Sequence, residues 1–141
     1  MDLDECYRKW FIKKTRIDHG LIMSLIEMSN IKELTVNSAH LNEVNISAYV
    51  SLAYDSLREL LEALCITHGY KVLSHLCLGE LLKTLIAEFD FNGFDRMRYT
   101  RNGINYYGTK VDFDQGKEII RKMFSMKKSL FEKHLQDKIL R

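Results

Sequence analysis

Between positions 101 and 108 the chain reads Arg101-Asn102-Gly103-Ile104-Asn105-Tyr106-Tyr107-Gly108, which places a guanidinium, two amides, two phenols and two glycines side by side. A guanidinium offers donors in a rigid planar fork and can grip a phosphate or a carboxylate bidentately. Amides donate and accept, and tyrosine rings stack on nucleobases. This is a vocabulary for recognising anions and bases, and no other stretch concentrates it as strongly.

In a helix beginning near Phe94, Arg101 falls on one stripe with Phe94, Met97 and Ile104. An arginine on an apolar stripe cannot stay fully hydrated and needs partners. Two kinds are open: an acidic side chain such as Asp55 or Glu59, or a bound phosphate. Asn105 lies one turn further on, within reach of the same partner. Tyr49, Tyr54, Tyr99, Tyr106 and Tyr107 with Arg96 and Arg98 interleave rings and charge as an RNA groove would, although helical tyrosines equally serve as core or interface residues. His75 opens a helix after the Gly69-Tyr70-Lys71 turn and is the histidine best placed to approach the stretch; a structural histidine is the plainer account. Cys65, His68, His75 and Cys77 offer four zinc donors, but Cys65 sits on an apolar stripe and His75 and Cys77 point apart on a helix. Core cysteines explain them better, so neither metal nor cofactor is expected.

The elements that position these residues read as helices. The chain has 141 residues and no proline, which suits long helices and one domain over 1–141. A first helix capped by Asp2 runs to about Lys14. A second segment from Ile17 to Leu41 has Gly20 as a possible join. Within these N-terminal helices over 1–41, Leu21, Leu25, Met28, Ile31 and Leu34 recur at helical spacing. Ser47 caps the clearest helix, in which Val50, Tyr54, Leu57, Leu61, Leu64 and Cys65 recur at three- and four-residue steps before Gly69. Ser74 starts a helix through Phe89. Asn92 caps the one that carries Arg101, and Gly108 ends it. Asp112 and Gln115 form a capping box for a last helix reaching nearly to Leu140. Its length suggests that the distal half packs on another subunit. The sum is an all-α bundle of five or six helices with a long C-terminal helix.

No apolar run is long enough for a transmembrane helix, so no membrane association is expected. The acidic start has no signal-peptide plan. Three cysteines without C-x-x-C spacing read as reduced thiols of a cytoplasmic protein. The net charge of +2 hides a segregation: residues 17–95 carry four basic and eleven acidic groups, and residues 96–141 carry twelve basic and five acidic. The basic third either meets an anionic partner such as RNA or packs against the acidic middle.

Arg101-Asn102 followed by Ile104-Asn105-Tyr106-Tyr107-Gly108 resembles the signature region of HEPN-domain proteins, particularly small archaeal-type members. The run Tyr54-Asp55-Ser56-Leu57-Arg58-Glu59-Leu60-Leu61-Glu62-Ala63-Leu64, leading into Gly69-Tyr70-Lys71, is similar to the helix and turn that precede it. The likeness spans about residues 47–135. It implies an antiparallel helical bundle that dimerises, joining two signatures in a cleft. It also implies metal-independent ribonuclease activity, often that of a toxin paired with a nucleotidyltransferase antitoxin. Arg101 and Asn102 fill the catalytic Arg and polar positions. The signature histidine is replaced, since Asn105, Tyr106 and Tyr107 occupy its place. A histidine exchanges a 2′-hydroxyl proton near neutrality, whereas a tyrosine of pKa about 10 is a poor base there. The expected roles are therefore phosphate contact by Arg101, orientation of a ribose hydroxyl or phosphate by Asn102, and nucleic-acid binding by Arg98, Asn105, Tyr106 and Tyr107. A non-catalytic module that binds a nucleotidyltransferase-like partner or a nucleotide is the alternative.

Overall fold

The computed structural model describes residues 1–139. Its elements are α1 (Leu3–Arg8), β1 (Ile12–Lys14), α2 (His19–Ser38), α3 (Ile46–Thr67), β2 (Tyr70–Val72), α4 (His75–Leu85), α5 (Phe91–Tyr107), α6 (Phe113–His134) and the single turn α7 (Gln136–Ile139). The protein is an all-α bundle with a long helix near its C-terminus and one small antiparallel β1–β2 pair.

α3 is the axis. Val50, Tyr54, Leu57, Leu61, Leu64 and Cys65 are all buried, as their spacing requires, and so are Ala53, Leu60 and Ala63 on the flanks of the stripe. A helix apolar over most of its circumference has to be surrounded. α2, α4, α5, α6 and β2 all pack against it. Each leucine buried there contributes about 1.5–3 kcal/mol.

Small residues set the closest approaches. At Gly116 of α6, an added Cβ would lie 2.4 Å from Ile46 Cγ1 and 3.5 Å from Val50 Cγ2. Glycine inside a helix is normally worse than alanine by about 1 kcal/mol, so Gly116→Ala would ordinarily stabilise. Here overpacking against the start of α3 dominates, and urea unfolding is expected to show a loss of about 1–3 kcal/mol.

Where α2, α3 and α6 meet, the core contains a charge. Lys127 of α6 is 3% exposed. Its Nζ donates to Glu33 Oε1 at 2.6 Å, Asn30 Oδ1 at 3.0 Å, and Ser29 O and Ser56 Oγ at 3.3 Å. Ser29 and Ser56, both buried, bond each other's backbone: Ser29 Oγ donates to Ser56 O at 2.5 Å and Ser56 Oγ to Ser29 O at 2.7 Å. One turn along, Lys32 pairs with the buried Glu59.

Several boundaries differ from the sequence expectation. α1 stops at Arg8 because Phe11 N–H bonds Cys6 O and Trp10 N–H bonds Tyr7 O, closing the helix six residues before Lys14. α2 is one helix, with Asp18 as its cap and Gly20 inside the first turn. Ser47 lies within α3 and its hydroxyl accepts from Val111 N–H instead, while Asn45 holds the cap position. α4 ends at Leu85, short of Phe89. Asp90, not Asn92, caps α5 by accepting from Gly93 N–H at 2.9 Å. Gly108 (φ 66°) does end α5, and Asp112 does cap α6 by accepting from Gln115 N–H. α6 stops at His134, and Lys127, Leu130 and Leu135 are buried within this chain. The expected end near Leu140 lies outside the described residues.

The thiol expectation fails for two of the three cysteines. Cys6 and Cys77 form a disulfide across 71 residues that ties α1 to α4. Cys65 is free and buried, and burial, helped by the nearby Glu62, pushes its thiol up to about 12. With Cys77 bonded, it is no thiolate donor for zinc. Among the described residues, no helix is long and apolar enough to cross a membrane.

Candidate functional site

Arg101 projects from α5 against the polar edge of α3, where Ser51, Asp55, Arg58 and Glu62 interrupt the apolar surface at steps of three or four residues. Its side chain is only 14% exposed. One Nη lies 3.8 Å from Asp55 Oδ1, so the acidic partner foreseen from the sequence is present, at ion-pair rather than hydrogen-bond distance. The Asn105 amide lies between Ser51 and the guanidinium. With its oxygen turned to Arg101, which avoids setting donor against donor, it accepts from Nε at 2.9 Å and Nη2 at 3.2 Å. Its nitrogen then donates to Ser51 Oγ at 2.9 Å. The other Nη reaches Tyr106 Oη at 3.4 Å. The guanidinium also stands 5.6 Å from the Tyr54 ring centre and 5.8 Å from that of Tyr106. Arg101 is thus held in one orientation from several sides.

Two further arginines converge. Arg58 donates to Glu62 at 2.9 Å and lies 3.7 Å from Asp55. Arg98 is forked onto Asp95 at 2.9 and 3.1 Å. Three buried atoms in this neighbourhood have no hydrogen-bond partner among the described residues: Tyr54 Oη, Asp55 Oδ1 and Arg58 Nε. An unmatched buried polar atom costs about 1–3 kcal/mol, and three together mark a built polar site. Burial, only partly opposed by Arg101, Arg58 and Arg98, raises the Tyr54 phenol far above its ordinary value. It stays protonated, a donor with no acceptor among the described residues.

His75, at the start of α4, completes the cluster. Its ring centre lies 5.6 Å from that of Tyr54, the same ring that Arg101 faces. Burial, then the positive fields of Arg58 and Arg101, hold its pKa down to about 4, with Asp55 opposing and Arg98 adding a little. Its usual value is near 6.5, so the folded state stays neutral while an unfolded chain takes up a proton between pH 6.5 and 4. His75 therefore stabilises the fold above that window, and the contribution is lost as pH falls through it. An NMR titration of the imidazole is expected to show a midpoint near 4, rising when inorganic phosphate is added or when Arg101 is replaced by Ala. An unchanged midpoint in both cases would remove His75 from the cluster.

The structure separates other expected site residues. Asn102, next to Arg101 in sequence, faces elsewhere: with Tyr99, Tyr106, Tyr107, Thr109 and Lys110 it lines an open hollow of about 560 Å³ between α5 and the start of α6. Tyr106 is the only one of them that also touches Arg101. Tyr107 is 83% exposed. Asn105 is engaged with Arg101, so it positions the guanidinium. Arg98 belongs to the cluster through its field on Tyr54 and His75. Arg96 instead lines a larger hollow of about 700 Å³ between α5 and α6, with Met97, Arg121, Lys122 and Lys133. Among the described residues no group of His, Cys, Asp or Glu is arranged to hold a metal.

Sequence reasoning missed Ser51, and it treated Arg58 only as part of a likeness and His75 as structural. A signal existed: Ser51, Asp55, Arg58 and Glu62 form a polar stripe on a helix that is otherwise largely apolar and buried. No family model, curated protein or solved structure matches the chain, so the site has to be interpreted from its own geometry.

Proposed function

We propose that this chain is an RNA-directed protein of HEPN type, whose site is the Arg58–Arg98–Arg101 cluster with Tyr54 and His75. The observation that carries the proposal is the oriented, semi-buried Arg101 facing the ring of Tyr54, whose protonated hydroxyl has no acceptor among the described residues. A phosphate matches both, since it takes the guanidinium fork and accepts from a phenol. Arg101 would hold the scissile or neighbouring phosphate and stabilise the charge that develops during transfer. Neutral His75 would take the 2′-hydroxyl proton. Burial and then the arginine fields keep this imidazole weakly basic; bound phosphate would offset the second of these and move the pKa upward, towards the range a base needs. In this way His75 fills the role of the absent signature histidine in a metal-independent endoribonuclease, the toxin of a toxin–antitoxin pair. Asn102, Tyr106 and Tyr107 meet the strand or a second copy across the hollow they line.

A homodimer belongs to the proposal. Tyr99, Tyr106 and Tyr107 leave their rings in solvent beside the cluster, a surface that a second copy would cover. The proposed setting is the cytoplasm. The Cys6–Cys77 bond pulls the other way, because disulfides persist mostly in oxidising compartments.

The test is an RNA cleavage assay in EDTA with the wild type and Arg101→Ala. Cleavage by the wild type that is lost in the mutant supports the enzyme, and equal cleavage by both refutes the site. No cleavage by either favours the second reading, a helical module that binds a nucleotidyltransferase-type antitoxin or a nucleotide. The exposed tyrosines around the 560 Å³ hollow speak for it.

A further inference from the structure

Away from the arginine cluster, Trp10 stands out. It is the chain's only tryptophan. It is 71% exposed, and its φ of 63° makes it the one positive-φ residue other than glycine among those described. The hydrogen bonds explain why. Phe11 N–H bonds Cys6 O at 3.0 Å and Trp10 N–H bonds Tyr7 O at 3.1 Å, the helix-ending motif whose left-handed position usually belongs to glycine. A large L side chain there is strained, and this one gains little burial in return. Neither packing nor backbone geometry accounts for a tryptophan at this position.

Its surroundings are basic. Arg8, Lys9, Lys13, Lys14, Arg16 and Lys71 are all exposed. Lys9 and Arg16 have only distant acidic neighbours, Glu5 at 3.9 Å and Asp18 at 3.8 Å. The other four have no ion pair among the described residues. Lys13 and Lys71 are direct cross-strand partners, an arrangement that repels. A strained exposed ring beside facing like charges makes sense if a polyanion covers them.

We infer that Trp10 and the lysines of the β1–β2 pair form a docking surface for single-stranded RNA, with a base stacked on the indole and phosphates lying along Lys13 and Lys71. The choice of RNA rests on the RNA-directed reading above. Stacking of bases on a ring within a basic track is the recurrent means of gripping single strands. An anionic membrane would want a broad apolar face, whereas two of the three residues of β1 are exposed lysines. β2 runs from this surface directly towards His75, so one strand can engage both places.

Because Trp10 is the only tryptophan, its fluorescence reports on this surface alone. The experiment titrates the full chain with an oligouridylate of about twelve nucleotides, within the span one small domain covers, and in parallel with vesicles of phosphatidylserine and phosphatidylcholine. The oligonucleotide is expected to quench Trp10, and the quench persists in Arg101→Ala at saturating oligonucleotide. Trp10→Gly, followed with a labelled oligonucleotide, is expected to bind about tenfold more weakly while melting no lower than the wild type, since glycine suits the position. Lys13→Glu with Lys71→Glu should weaken binding and flatten its salt dependence. Unchanged affinity of Trp10→Gly overturns this inference and leaves the RNA reading standing. A response to vesicles without one to the oligonucleotide makes the surface a membrane contact and overturns it too. No oligonucleotide binding by any form overturns both.

Discussion

Arg101→Ala is expected to weaken binding of a single-stranded oligoribonucleotide by about 10- to 100-fold, the equivalent of one well-placed charge-assisted hydrogen-bonding group. The fold should survive, with a loss of about 1 kcal/mol. Asp55 keeps Arg58 at 3.7 Å, and Asn105 keeps Ser51. Lysine should not restore binding. It cannot engage the Asn105 oxygen and a phosphate at the same time through a planar fork, and it has no flat face to lay against Tyr54. Anisotropy titrations at two salt concentrations check this. Affinity within twofold of the wild type would mean that the buried guanidinium serves only the fold.

The second large effect concerns stability. Lys127→Ala is expected to cost about 3–5 kcal/mol in urea unfolding, because it removes one partner of a buried charge network. Ser29 and Ser56 keep each other, but Asn30 and Glu33 lose their donor. Lys127→Met keeps the aliphatic stem, and Glu33, whose side chain is 33% exposed, can turn to water, so it should lose clearly less. Equal losses would show that the lost charge rather than the lost volume sets the cost of opening α2 from α6. RNA binding should be unaffected in either variant that folds.

How far the sequence disclosed this arrangement depends on how local each cause is. α3 was legible because its burial follows from its own spacing: Val50 through Leu64 point inward wherever the neighbours come from. The glycine end of α5 and the Asp112 cap of α6 were equally local. In α2 the spacing picked the wrong face because apolar residues lie on both sides: Ile22 and Ile26 are buried, while Leu21, Met28, Ile31 and Leu34 are exposed. The early end of α1 was invisible, since a tryptophan occupies the position where a glycine would have announced the stop. The three-residue strands, with two of the residues of β1 charged and exposed, gave no alternation to see. The Cys6–Cys77 bond and the Lys127 network join residues more than seventy positions apart, and Lys127 looked like one more charge on a basic helix.

The site was half legible. The stripe of Phe94, Met97 and Arg101 foretold a semi-buried arginine and offered Asp55 or Glu59 as its acidic partner, of which Asp55 is the one at 3.8 Å. It also grouped Asn102 with Arg101 by adjacency, although neighbouring residues on a helix diverge by about 100°; here Arg101 packs against α3 while Asn102 lines the hollow beside α6. His75 came into the cluster through the packing of α4 on α3, which depends on the turn and the β1–β2 pair together.

The central claim is one of place: phosphate-bearing RNA binds at the Arg58–Arg98–Arg101 cluster beside Tyr54 and His75. Its most direct test is NMR mapping of arginine Nε–H, asparagine side-chain and histidine ring signals while an oligoribonucleotide is added. The account expects the largest shifts at Arg101 Nε, the Asn105 amide and the His75 ring, with inorganic phosphate reproducing part of them. If those signals stay still while Arg96, Arg121 and the larger α5–α6 hollow respond, the cluster is a structural ion-pair network and the RNA site lies elsewhere.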